Sequence, residues 1–125
     1  MTFLKGRILC SEDDPDSREL IVLVLKGSGY EVVCTETGTE ALGLAKNERF
    51  DLFLVDSWMP GLTGPDLTRL IREFNQTTPI LFYSAAAFKS DMQLAFEAGA
   101  QGYLTKPCGI EELAQEVDRL IKQSV

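Results

Sequence analysis

The stretch "DLFLVDSWMPGLTG", residues 51–64, runs four apolar residues into a carboxylate and then breaks over a proline and a glycine. Leu52-Phe53-Leu54-Val55 reads as a buried strand that ends on Asp56. Burying a charge is costly unless something pairs with it, so Asp56 predicts compensating groups close by.

Short apolar runs alternate with helical patterns five times along the chain. That alternation is the mark of stacked β-α units and a parallel sheet. The first strand is expected at about Arg7 to Glu12. A helix opens after it in "DDPDSREL", where Pro15 suits the first turn and the acids suit the macrodipole; the glycines of "KGSGY" stop it. The second strand is Glu31 to Cys34, followed by a helix from near Thr37 with Ala41, Leu42 and Ala45 inward. The helix after the opening stretch runs from about Pro65 to Phe74, with Leu67, Leu70, Ile71 and Phe74 on one face. The fourth strand is Ile80 to Ser84, and a helix of roughly Lys89 to Ala98 ends at Gly99. Gly102 to Thr105 forms the fifth strand. The last helix, about Ile110 to Lys122, carries Ile110, Leu113, Ala114, Val117, Leu120 and Ile121 on one stripe. Five parallel strands with right-handed crossovers and helices on both faces make a doubly wound α/β sandwich.

The totals set the limits. The chain has 125 residues, 45% of them hydrophobic, which suits one domain with its own core. No apolar run approaches a membrane span, and "MTFLKGRILCSEDD" turns acidic too early for a signal peptide. A formal net charge of −7 argues against nucleic acid as the direct partner, because phosphate binding needs clustered Lys and Arg. Cys10, Cys34 and Cys108 have no metal-ligand spacing and read as reduced thiols of a cytoplasmic protein. Histidine is absent, which removes Ser-His-Asp and Cys-His nucleophilic arrangements in cis. "KGSG", residues 26–29, lacks the rest of a phosphate-cradling loop and is a helix stop.

In a doubly wound sheet, ligands bind beyond the carboxyl ends of the strands. The polar residues expected there are Glu12, Asp13 and Asp14, then Asp56, Ser84 and Lys106. Several carboxylates, one lysine and no histidine suit a hard cation held by oxygen, Mg²⁺ above all. A carboxylate can attack phosphorus and form an acyl phosphate. Lys106 and the ion would offset the charge of the transferring group, and the Ser84 hydroxyl would donate a hydrogen bond to a phosphoryl oxygen.

Four motifs, "ILCSEDDPDSREL", "DLFLVDSWMPGLTG", "ILFYSAAA" and "GAQGYLTKP", together resemble the receiver domain of two-component response regulators, over roughly residues 5 to 122. The resemblance implies a flavodoxin-like (βα)5 three-layer sandwich with sheet order 2-1-3-4-5. It implies a single receiver domain over residues 1–125, with no output domain in this chain. It makes Asp56 the phosphoacceptor and Asp13 a direct metal ligand. Glu12 would act through water, and the backbone carbonyl of Trp58 would supply a further metal oxygen. Ser84 becomes the switch hydroxyl and Tyr103 the aromatic that packs inward when Ser84 moves. Lys106 becomes the phosphate-binding lysine, with a cis bond to Pro107. The implied partners are a sensor histidine kinase or a histidine phosphotransfer protein, a downstream protein target, and a second copy in a phosphorylation-linked homodimer. The domain would catalyse its own phosphorylation and dephosphorylation, with no separate substrate turnover. The surface of the fourth helix, fifth strand and fifth helix would change its affinity for the target.

Some positions depart from the commonest family pattern. Glu12 replaces the more frequent Asp, and Cys108 replaces a bulky apolar residue. Trp58 and Ala86 occupy the two places that tune hydrolysis, and neither can orient a water, so slow self-dephosphorylation is expected. Two rival readings remain. One is a metal-dependent phosphatase or phosphotransferase working through aspartyl-phosphate, against which Trp58 stands where such enzymes carry a second acid. The other is a non-phosphorylated pseudo-receiver that only binds protein.

Overall fold

The structure, a computed structural model, describes residues 4–124. Two expectations, that residues 1–14 form no signal peptide and that one domain covers residues 1–125, extend beyond that range. The elements run β1 (Gly6–Ser11), α1 (Pro15–Gly27), β2 (Tyr30–Thr35), α2 (Gly38–Asn47), β3 (Leu52–Val55), α3 (Gly64–Arg72), β4 (Ile80–Ser84), α4 (Lys89–Ala98), β5 (Gly102–Thr105) and α5 (Ile110–Gln123). The five strands form one sheet in the order β2-β1-β3-β4-β5, every pair parallel. Fold and strand order are those of the flavodoxin-like sandwich that the motifs implied.

Side-chain alternation splits the core in two. Ile8, Cys10, Leu52, Leu54 and Leu81 face one way, onto Ile21 and Leu25 of α1 and Leu113, Val117 and Leu120 of α5. Leu9, Phe53, Val55, Ile80 and Phe82 face the other way, onto Ala41 of α2, Leu67 and Ile71 of α3, and Ala95 of α4. Strand β3 has no exposed face at all: Leu52, Phe53, Leu54 and Val55 are each 2% exposed or less. That is why its sequence is continuously apolar rather than alternating.

Local chemistry starts the helices. Asp14, Thr37 and Thr63 cap α1, α2 and α3, each accepting a backbone N–H from three residues on. At Gly99, φ is +122°, a value open to glycine, and α4 ends there. Two expected core positions are corrected. Phe74 falls after α3 has ended at Arg72 and is 42% exposed, and Ile110, the first residue of α5, is 60% exposed. Both follow the helical period, but Phe74 lies beyond the last residue of α3 and Ile110 opens α5, so neither has a full helical turn around it to seat it against the core. Thr68, unremarked in the pattern, is fully buried because its hydroxyl donates to the Gly64 carbonyl within α3 at 2.9 Å.

Candidate functional site

Register places the polar strand ends side by side. Ser11 of β1 lies opposite Val55 of β3, so Glu12 and Asp56 emerge together. The Asp56 N–H donates to the Ser11 carbonyl at 3.1 Å, and that of Glu12 to the Thr35 carbonyl at 3.0 Å. Across the sheet, Ser84 pairs with Thr105, and the Lys106 N–H donates to the Ser84 carbonyl at 2.8 Å. The Lys106–Pro107 bond is cis, as the motif implied.

Glu12, Asp13 and Asp56 each bring a carboxylate oxygen to within 4.8 Å of the other two. Their burial differs: Glu12 is 1% exposed, the Asp56 side chain 12%, and Asp13 is open to solvent. Lys106 reaches in from the opposite side. Its ammonium pairs with Glu12, donates to the Ser17 hydroxyl at 3.2 Å and lies 3.6 Å from Asp56 Oδ2. The lysine is thus held mainly by Glu12, with Asp56 as its second carboxylate. Asp14 stays outside the cluster. It caps α1, and the hydrogen bonds from Ser17 hold its carboxyl below the usual range.

One lysine does not balance three acids. The Glu12 carboxyl is pushed up to about 7, first by burial and then by the neighbouring Asp56, with Lys106 opposing. Burial pulls Lys106 down, but its hydrogen bond to Glu12 and the charges of Asp56 and Glu12 outweigh that and leave it raised. The cluster therefore carries uncompensated negative charge on hard oxygen donors, with one acid facing solvent. A small divalent cation that prefers oxygen ligands fits that donor set.

Ser84 is 1% exposed, and its Oγ accepts the Ala86 N–H at 3.1 Å. The Tyr103 ring stacks on Phe82, centroids 5.7 Å apart and 10° from parallel. Its hydroxyl donates to the Ala86 carbonyl at 2.6 Å and lies 3.1 Å from Ser57 Oγ. A chain of contacts thus runs from Asp56 through the adjoining Ser57 to Tyr103, then Ala86, then Ser84. The Trp58 indole points outward, 66% exposed.

Three residues in this arrangement escape sequence reasoning. Ser17 contacts Lys106, Ser57 contacts Tyr103, and Arg18 donates to the carbonyls of Glu12 and Asp13 at 2.9 and 3.0 Å. Arg18 carried a signal, a cation in the first turn of the helix that follows the acidic pair. The serines carried none, since a hydroxyl's partner depends on the register of distant strands. The turn after Asp56 is fixed from below. Ser11 Oγ donates to the Met59 sulfur at 3.0 Å, and the Gly64 N–H donates to the Ser57 carbonyl at 3.0 Å. A Cβ at Gly64 would run into the Asp56 carbonyl and approach Phe82 to 2.9 Å, so only glycine fits there.

Comparison with known proteins bears on the same residues. The sequence matches the model of the response regulator receiver domain over residues 8–118. The DNA-binding response regulator MtrA of Mycolicibacterium smegmatis is 32% identical over 124 residues, covering 99% of this chain and 54% of that protein. The chain spans about half the length of the curated relatives of this kind that it matches. Among solved structures, the receiver domain of a Francisella response regulator superposes with a TM-score of 0.90 at 29% identity, covering 97% of this chain and all of that one (100%). The receiver domain of a sensor histidine kinase from Pseudomonas aeruginosa, with a magnesium ion coordinated in its active-site cleft, gives 0.88 at 33% identity, covering 94% and 98%.

Proposed function

The chain belongs to the response regulator receiver family of two-component signalling, and from that premise we propose that it is a phosphorylation switch whose acceptor is Asp56. The observation that carries the reading is the joint placement of Glu12, Asp13 and Asp56 within 4.8 Å, with the Lys106 ammonium 3.6 Å from Asp56 Oδ2. A phosphohistidine on a sensor histidine kinase or histidine phosphotransfer protein is the donor. An Asp56 oxygen attacks phosphorus, the P–N bond breaks, and the imidazole leaves as the acyl phosphate forms.

Asp13, Asp56 and the Trp58 carbonyl would hold Mg²⁺, with Glu12 joined through water. The ion, when bound, supplies charge neutralisation at the phosphoryl oxygens. Lys106 offers its ammonium to the same oxygens. Ser84 already accepts from Ala86 and keeps its own proton free to donate to the phosphoryl group. Drawing Ser84 inward pulls on the Ala86 backbone that Tyr103 holds, which connects the site to the surface of α4, β5 and α5. That surface would meet a downstream protein target, or a second copy of the chain, in the cytoplasm. Such a switch operates only as far as the phosphoryl group favours one arrangement over the other.

The test is incubation of the protein with Mg²⁺ and acetyl phosphate, followed by intact mass. One phosphoryl adduct is expected, abolished by Asp56→Asn and by chelation of the metal. Multiple turnover on phosphate monoesters would favour the phosphatase reading instead, and no adduct would leave a protein-binding module.

A further inference from the structure

Cys10 and Cys34 look unrelated in sequence, yet parallel pairing of β1 with β2 sets them directly opposite each other. Neighbouring strands lie about 4.8 Å apart, within the Cα separation of roughly 4.4–6.8 Å that a disulfide spans. Both side chains occupy the same sheet face, where Cys34 packs against the cluster that contains Cys10. Their access to solvent is unequal. Cys10 is 1% exposed, whereas Cys34 is half-buried and lines an open groove of about 730 Å³ beside Arg18, Val22 and Lys26 of α1.

We propose that Cys34 is a site of oxidation by hydroperoxides, with Cys10 as the resolving thiol that closes a β1–β2 disulfide. In the first step the Cys34 sulfur attacks one oxygen of the peroxide and the O–O bond breaks. Sulfur is oxidised to the sulfenic acid, and the second peroxide oxygen leaves as water (or as an alcohol from an organic peroxide), carrying the thiol proton. In the second step the Cys10 sulfur attacks the Cys34 sulfur. The S–S bond forms, the S–O bond breaks, and the hydroxyl departs with the Cys10 proton as water. Two thiols and one hydrogen peroxide become one disulfide and two waters.

The surroundings of Cys34 support its role as the attacking thiol. Its interaction with Cys10 holds its pKa below the ordinary value, and the charges of Arg18 and Lys26 act in the same direction, against burial and the charge of Glu12. Cys108 is also half-buried, but burial pushes its thiol up, so it serves as an internal control. The inference stands apart from the phosphoryl reading, because neither cysteine is used there.

The experiment treats the full chain with hydrogen peroxide, alkylates the remaining thiols and maps peptides without reduction. Expected are linked Cys10 and Cys34 peptides, released by dithiothreitol, while Cys108 still alkylates. In Cys10→Ala, a dimedone adduct is expected on Cys34, with circular dichroism reporting whether that variant folds. If it does not fold, the wild-type map decides alone. Oxidation of Cys108 ahead of Cys34, or Cys10 remaining free after Cys34 is oxidised, would overturn the proposal.

Discussion

At the residue scale, the Tyr103 hydroxyl does two things at once: it donates to Ala86 and faces Ser57, the neighbour of Asp56. A hydrogen bond of this kind is worth about 1 kcal/mol, enough to bias a side chain without locking it. Ser57→Ala should therefore loosen the Tyr103 ring, seen as altered line widths of its ring signals by NMR, while Mg²⁺ binding is retained. Unchanged ring signals would show that the Phe82 stack and the Ala86 hydrogen bond hold Tyr103 without help from Ser57. Ala86 contributes backbone groups to this network and no polar side chain, so nothing there can orient a water. Ala86→Glu should shorten the lifetime of the acyl phosphate, followed by loss of the phosphoryl adduct with time, and an already fast wild-type loss defeats that account. Asp13, Asp56, Ser84 and Lys106 were legible in sequence because each follows an apolar strand at a strand end. Ser57 and Ser17 were not, since short hydroxyl side chains carry no periodic signal.

At the element scale, the turn from β3 into α3 is what aims Asp56. Gly64 begins α3 directly against the Asp56 carbonyl, with Phe82 of β4 behind it. Gly64→Ala would force backbone apart instead of turning a flexible side chain, at a cost of about 1–3 kcal/mol. A lower melting temperature is expected together with slower phosphoryl uptake. Lower stability with unchanged uptake would mean that the turn is structural only. The five β-α units were readable because their apolar runs are short and their helical periods clear. The misplaced residues, Phe74 and Ile110, show the limit. Period says which side of a helix a residue occupies, but not whether the helix runs far enough around it to seat it. Pairing partners are hidden for the same reason, and the opposition of Cys10 and Cys34 exists only once β2 lies beside β1.

At the scale of the whole molecule, strand order 2-1-3-4-5 gathers residues from the ends of β1, β3, β4 and β5 at one edge, where the acids Glu12, Asp13 and Asp56 outnumber the charge that Lys106 offers them. No helix among the described residues is long and apolar enough to cross a membrane. The charge excess couples folding to pH through Glu12, whose carboxyl moves from its ordinary 4.5 to about 7. A folded-state acid with a raised pKa lends stability that is full below the unfolded value and is lost as pH rises through the folded one. A bound cation would take over the neutralisation where that proton has left. Added Mg²⁺ should therefore raise the melting temperature more at about pH 8 than at about pH 6, and equal shifts would dissociate Glu12 from the site. Charge compensation at this edge is what would let a cation bind, and calorimetric titration with Mg²⁺ at about pH 8 tests it most directly. One saturable site per chain is predicted, lost in Asp13→Asn and in Asp56→Asn; a wild-type protein without saturable binding, or undiminished binding in both variants, would contradict it.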